Sequence, residues 1–192
     1  MMSDEAVGAM IDALNIEGIP FIIVGSLSSN YYGIPRSTKD ADFVLELGER
    51  SILSLESSLV SGMRIDPQMT FETVTFTKKY EVTVENSAFT LELFLLSADL
   101  HDQERFARRV EADFLERKVS IPTAEDVIIT KLRWYAGMRR AKDLDDSKNV
   151  VGVQTLGESS LDWNYIQGWC DLHGTRQFLD EMLASVWMTK EV

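Results

Sequence analysis

Two short segments of strict pattern constrain this chain more than anything else in it. The first, Ile19-Pro20-Phe21-Ile22-Ile23-Val24, runs unbroken into Gly25-Ser26. A continuous apolar run closed by glycine is the pattern of a strand buried on both faces. The second, Asp40-Ala41-Asp42-Phe43-Val44-Leu45, opens on alternating acids and continues apolar. Alternate side chains of a strand share a face. Asp40 and Asp42 therefore project together, while Ala41 and Phe43 point the other way. A workable fold must bury both segments and still compensate the acid pair.

The rest of the chain supplies elements around them. Val7, Met10, Ile11 and Leu14 stand at helical spacing, which predicts a helix over 4–17 ended by Gly18. A short helix is expected from Ser26, as its N-cap, to a stop at Gly33, and another over 51–60 before Gly62. Residues 69–77, 79–86 and 88–96 are rich in β-branched and aromatic residues and predict three strands, with turns at Lys78-Lys79 and Asn86-Ser87. A charged helix over 98–109 and a hairpin over 110–122 follow. Helices are expected at 123–138, 141–150, 162–172 and 175–188, the first capped by Thr123 with Asp126 in its first turn. Residues 152–160 have a linker composition. Strands in the first two thirds and helices in the last third make an α+β, or mixed α/β, chain.

Composition narrows the chemistry. The 192 residues suit one domain with room for a small second lobe. The single cysteine, Cys170, excludes an intrachain disulfide and lies among apolar residues as core filler. With only His101 and His173, no Cys/His zinc site or Cys-His nucleophilic pair has convincing spacing. A bound metal would be held by carboxylates, which favours a hard cation such as magnesium. No apolar run reaches the ~20 residues of a membrane span, and the acidic start lacks the basic flank of a signal peptide. The expectation is a cytoplasmic protein that engages no membrane.

Nineteen basic against 31 acidic residues leave a net charge of −12. Non-specific DNA binding is not expected, because that affinity comes from neutralising phosphates. One local exception is Lys131–Lys142, with Lys131, Arg133, Arg139, Arg140 and Lys142 and no acid. Trp134 and Tyr135 lie within it, either stacking on a base or packing in the core.

Two carboxylates side by side repel, and a divalent cation between them removes the penalty. Glu92, in Thr90-Leu91-Glu92-Leu93-Phe94, is a lone acid in an apolar strand and needs a partner. Either it joins the Asp pair as a third metal-binding carboxylate, or it pairs with a base such as Lys78, Lys79 or Arg64. Gly25 would let the backbone approach a phosphate, and a helix starting at Ser26 would aim N–H groups at it. Arg36 and Thr38 share the parity of the Asp pair but could simply shape the loop after Pro35. Lys142-Asp143 and Asp145-Asp146 read as a solvated helix start.

Hydrophobic-Gly-Ser, a spacer of thirteen residues, Asp-x-Asp and a later strand acid together resemble the polymerase-beta-like nucleotidyltransferase superfamily. Within it, VGSLSSNYYGIPRSTKDADFVLEL is similar to small bacterial members that include abortive-infection toxins and antibiotic-modifying enzymes. The segment TAEDVIITKLRWYAGMRRAKDLDD is similar to their recurring C-terminal stretch. The resemblance spans residues 19 to 150 and departs from the family pattern at Glu92, where Asp is commoner. It implies a mixed sheet flanked by helices, with a catalytic core over 1–122 and a helical lobe over 123–192 packed on it. It also implies transfer of a nucleoside monophosphate from a triphosphate such as ATP to a hydroxyl acceptor, releasing pyrophosphate. Asp40, Asp42 and Glu92 would hold magnesium or manganese and carry catalysis. Gly25, Ser26 and Lys131 would hold the triphosphate. The acceptor would be a small molecule, a tRNA or a protein. The competing expectation is a degenerate member that binds nucleotide or protein without chemistry.

Overall fold

The computed structural model describes residues 1–157 and 160–188. The chain divides into two units, one formed by Met1–Leu27 with Ser37–Ile121, the other by Ser28–Arg36 with the chain from Pro122 onward. In order, the elements are α1 (Ser3–Ile16), β1 (Phe21–Val24), α2 (Gly25–Tyr32), β2 (Asp40–Leu45), a 3-10 segment (Ile52–Ser58), β3 (Met63–Ile65), β4 (Thr70–Phe71), β5 (Lys78–Val84) and β6 (Thr90–Leu95). Then come α3 (Leu100–Ala107), β7 (Val110–Phe114), β8 (Arg117–Ile121), α4 (Ala124–Met138), α5 (Ala141–Gln154), α6 (Trp163–His173) and α7 (Arg176–Met188).

The first unit is built on a mixed sheet of order β1-β2-β6-β5-β3, with β4 added to β5. Only β2 and β6 run parallel within it. One face carries Phe21, Ile23, Ala41, Phe43, Leu45, Val82, Leu91 and Leu93, all buried, with Phe21 and Phe43 in ring contact at 6.0 Å. The stripe of α1 (Val7, Met10, Ile11, Leu14) is buried as its spacing predicted. Burial of a side chain of this size contributes ~1.5–3 kcal/mol. The opposite face is apolar at Ile22, Val44 and Phe94 but turns polar at Asp40, Asp42 and Glu92. This polar end is where β1 finishes and β2 and β6 begin.

Most expected elements form, and the exceptions have local causes. Residues 69–77 do not form one strand: after β4, the buried Glu72 carboxylate accepts bonds from the Val74 amide (2.7 Å), the Thr75 amide (2.6 Å) and the Thr75 hydroxyl (2.8 Å). Such local bonds compete with the sheet ladder. Lys78-Lys79 accordingly begins β5 rather than making a turn, whereas Asn86, at φ 57°, does turn the chain as expected. The helix expected over 51–60 is a 3-10 segment, and β3 was not expected at all. α2 starts at Gly25, so Ser26 lies inside its first turn rather than at the cap.

The second unit packs α4, α5, α6 and α7 around Ile128, Ile129, Leu132, Val150, Val151, Ile166, Cys170, Leu179 and Met182. Thr123 caps α4 as expected, accepting from the Asp126 amide. Gly33 follows α2 where a Cβ would stand 3.0 Å from the Val150 nitrogen, a gap only glycine fills without displacement. The Tyr32 hydroxyl donates to the Pro122 carbonyl, and the Gln154 amide donates to the Tyr32 carbonyl. Burial pushes the Tyr32 hydroxyl and the Cys170 thiol up from their ordinary values, fitting Cys170 as core filler. Residues 152–154 of the expected linker belong to α5, and residues 158 and 159 lie outside the described residues. No helix among the described residues is long and apolar enough to cross a membrane.

Candidate active site

The strand register assembles the acids of the first unit. Val24 stands opposite Asp42, Asp42 opposite Glu92, and Glu92 opposite Glu81, making one lateral row across β1, β2, β6 and β5. Asp40, one step along the same face, lies opposite Thr90. Asp40, Asp42 and Glu92 are all half-buried. The three acids singled out from sequence are thus brought to adjoining strands.

Gly25 abuts this row. Its φ is +63°, and a Cβ on it would come 1.9 Å from Asp42 Oδ2. The Asp42 carboxylate therefore lies against the start of α2, where negative charge is favoured by the helix dipole. Ser26 is buried in the same first turn, 7% exposed. Gly25 sits beside Asp42 because β1 ends level with it, and Ser26 is the next residue of α2.

Thr38 reaches the site from the loop before β2. Its hydroxyl donates to Asp40 Oδ1 at 2.7 Å and so limits how that carboxylate can turn. The Thr-x-Asp spacing was the signal for this contact, which residue parity alone did not interpret. Glu92 realises the alternative reading of its environment: Lys79 Nζ lies 2.6 Å from its Oε1, both side chains being 23% exposed. The same ammonium lies 5.7 Å from the Phe94 ring centroid.

Arg36 and Lys131 belong to the second unit, where they meet each other's partners. Arg36 Nε and Nη2 donate to the two oxygens of Asp146 at 2.7 and 2.8 Å, the bidentate geometry in which arginine pairs most firmly. Lys131 Nζ lies 2.8 Å from Asp146 and 3.3 Å from Asp143, and Arg140 Nε lies 2.7 Å from Asp143. Burial raises the Asp146 carboxyl, but the Arg36 hydrogen bonds and the Lys131 charge outweigh it and leave the group below its ordinary value. Asp143 and Asp146 are 1% and 3% exposed, so the solvated helix start expected for them is corrected: they are buried counter-ions. Two arginines of the basic run lie over aromatic rings. Arg139 stacks over Phe178 and Tyr135, and Arg140 over Trp134. Tyr135 is half-buried and packs edge-on against Phe178.

As a metal site, the carboxylate oxygens of Asp40, Asp42 and Glu92 have the right chemistry for a hard cation. Among the described residues no three such groups stand in ready-made coordination. Asp40 and Asp42 fit the role with Glu92 one strand away, provided its carboxylate is shared with Lys79.

No protein-family model matches the sequence, and no curated protein matches it. Solved structures do. The chain is similar to ANT(2")-Ia, a structure in complex with adenylyl-2"-tobramycin, at a TM-score of 0.62 and 15% identity over 92% of this chain and 99% of that one. It is similar to an antigenic nucleotidyltransferase-like protein from Paracoccidioides brasiliensis, at 0.54 and 19% identity over 96% and 94%. It is also similar to the lincosamide antibiotic adenylyltransferase LnuA, lincomycin-bound, at 0.51 and 12% identity over 79% and 98%. The chain has the nucleotidyltransferase fold, as its motifs implied.

Proposed function

We propose that the chain is a nucleotidyltransferase: it moves a nucleoside monophosphate from a nucleoside triphosphate to a hydroxyl of a small-molecule acceptor. The observation that carries the reading is the close seat of the Asp42 carboxylate on Gly25, with Asp40 on the same face and Glu92 on the adjoining strand. In the reaction, the acceptor oxygen forms a bond to the α-phosphorus, and the bond to the α–β bridging oxygen breaks. Pyrophosphate carries away that electron pair.

Each residue has a distinct part. Gly25, lacking a side chain, leaves room for the triphosphate to approach the start of α2, and Ser26 lines that approach. Thr38 orients Asp40. Magnesium or manganese held by Asp40, Asp42 and Glu92 would supply the positive charge that the triphosphate and the acceptor oxygen require. Glu92 accepts the proton of the acceptor hydroxyl. Lys131 joins as a counter-charge to the triphosphate only by exchanging a carboxylate partner for phosphate oxygen. The division of labour proposed is a catalytic core over 1–122 and a helical lobe over 123–192.

For the acceptor, the neighbours' tobramycin and lincomycin point towards small antibiotic-like molecules. The net charge of −12 also favours a cationic acceptor. Arg140 and Lys131 are paired with Asp143 and Asp146, which leaves less positive charge for a tRNA. The test is pyrophosphate release with magnesium, each labelled triphosphate, and tobramycin, lincomycin or tRNA in turn. Release with a small molecule supports the proposal. Calorimetric nucleotide binding without release for any acceptor would instead favour the non-catalytic scaffold, a reading with which the Lys79–Glu92 pair is compatible.

A further inference from the structure

Glu92 faces two neighbours on β5 with opposite effects. Glu81 stands directly across from it, where like charges destabilise a strand pair. Lys79, across from Phe94 and thus diagonal to Glu92, reaches over to bind Glu92 Oε1 at 2.6 Å. An ammonium is a compact point charge with directional donors. Fixed to one carboxylate oxygen, it restricts the rotation of the carboxyl and decides which oxygen is presented away from β5. It also occupies an oxygen that a cation binding both oxygens of Glu92 would use.

We propose that Lys79 is a positioning residue for Glu92: it holds one Glu92 oxygen, presents the other to the acceptor, and competes with a divalent ion for the carboxylate. The inference rests on the nucleotidyl-transfer reading. It assigns Lys79 no contact with substrate. The arrangement makes ion binding at Glu92 conditional: the ion engages that carboxylate only by sharing or displacing the ammonium. Glu92 is thereby paired without an ion, and Asp40 and Asp42 carry the first ion. A merely structural lysine would relieve the Glu81–Glu92 repulsion and nothing more.

The experiment measures manganese binding to the full chain by calorimetry, for wild type, Lys79→Met, Lys79→Arg, Glu92→Gln and the double variant Lys79→Met/Glu92→Gln. Removing a competing half-exposed ammonium worth up to ~1 kcal/mol should tighten manganese binding about fivefold in Lys79→Met. Lys79→Arg should stay near wild type. In the Glu92→Gln background, Lys79→Met should have no further effect, because the coupling runs through the carboxylate. Nucleotide transfer adds a second readout: Lys79→Met should lower kcat while leaving the KM for triphosphate near wild type, with Lys79→Arg restoring most of kcat. Unchanged or weaker manganese binding in Lys79→Met overturns the proposal, as does an equal gain in the Glu92→Gln background. An active wild type whose Lys79→Met variant turns over equally well overturns it while leaving the transfer reading intact. A wild type that binds manganese but transfers to no acceptor counts against the transfer reading alone, and the manganese series still decides for or against Lys79.

Discussion

The carboxylate of Asp42 occupies the space in which a side chain at Gly25 would stand, with Oδ2 1.9 Å from where that Cβ would be. The two residues lie seventeen positions apart and meet because β1 and β2 pair antiparallel with Val24 level with Asp42. Gly25→Ala meets two penalties there: a left-handed backbone, which costs an L-residue about 1–2 kcal/mol, and eviction of the carboxylate. The variant is expected to lose at least about 2 kcal/mol in urea unfolding and to lose metal-dependent transfer as well.

Metal should stabilise the fold through the acid pair. Since Asp40 and Asp42 share a face, manganese or magnesium is expected to raise the melting temperature by mass action on the folded state. Asp42→Asn should remove most of that rise. A melting curve indifferent to metal, with and without triphosphate, would remove the metal from the proposal.

Glu92 and the Asp pair should separate kinetically. Asp40→Asn and Asp42→Asn are expected to weaken nucleotide binding together with turnover. Glu92→Gln should leave nucleotide affinity nearly intact and cut kcat at least about a hundredfold, as loss of a general base does. Calorimetry beside pyrophosphate release reads both quantities. Equal losses of affinity in all three variants would contradict the separate role of Glu92.

Asp146 should make the second unit acid-sensitive. Its carboxyl titrates below its ordinary value. The stability it contributes is therefore fully present above the unfolded value of ~3.9 and is lost as pH falls through the lower folded value. Asp146→Asn leaves Arg36 and Lys131 without their shared counter-charge. That should cost about 3 kcal/mol at neutral pH and flatten the loss of stability below pH ~4. Chemical unfolding at a series of pH values tests both parts.

Local pattern determined much of this protein without reference to the rest of it. Alternation placed Asp40 and Asp42 on one face of β2, the 3.6-residue period drew α1, and the Thr123 cap with Asp126 marked the start of α4, because each depends only on neighbours in the chain. What tertiary structure decided were pairings between residues far apart. The register that sets Asp42 beside Glu92 comes from β2 lying parallel to β6, and no local feature specifies which strands pair. Whether Glu92 meets a lysine was equally undecidable: Lys78, Lys79 and Arg64 were equivalent on paper, and only the pleat of β5 turns Lys79 towards it. Asp143 and Asp146 looked solvated because charge ordinarily seeks water. They are buried because Arg36, 110 residues from Asp146, and Lys131 replace that water with donors at 2.7–3.3 Å. Charge compensation across such separations is fixed by the folded backbone, which brings each cation to its carboxylate.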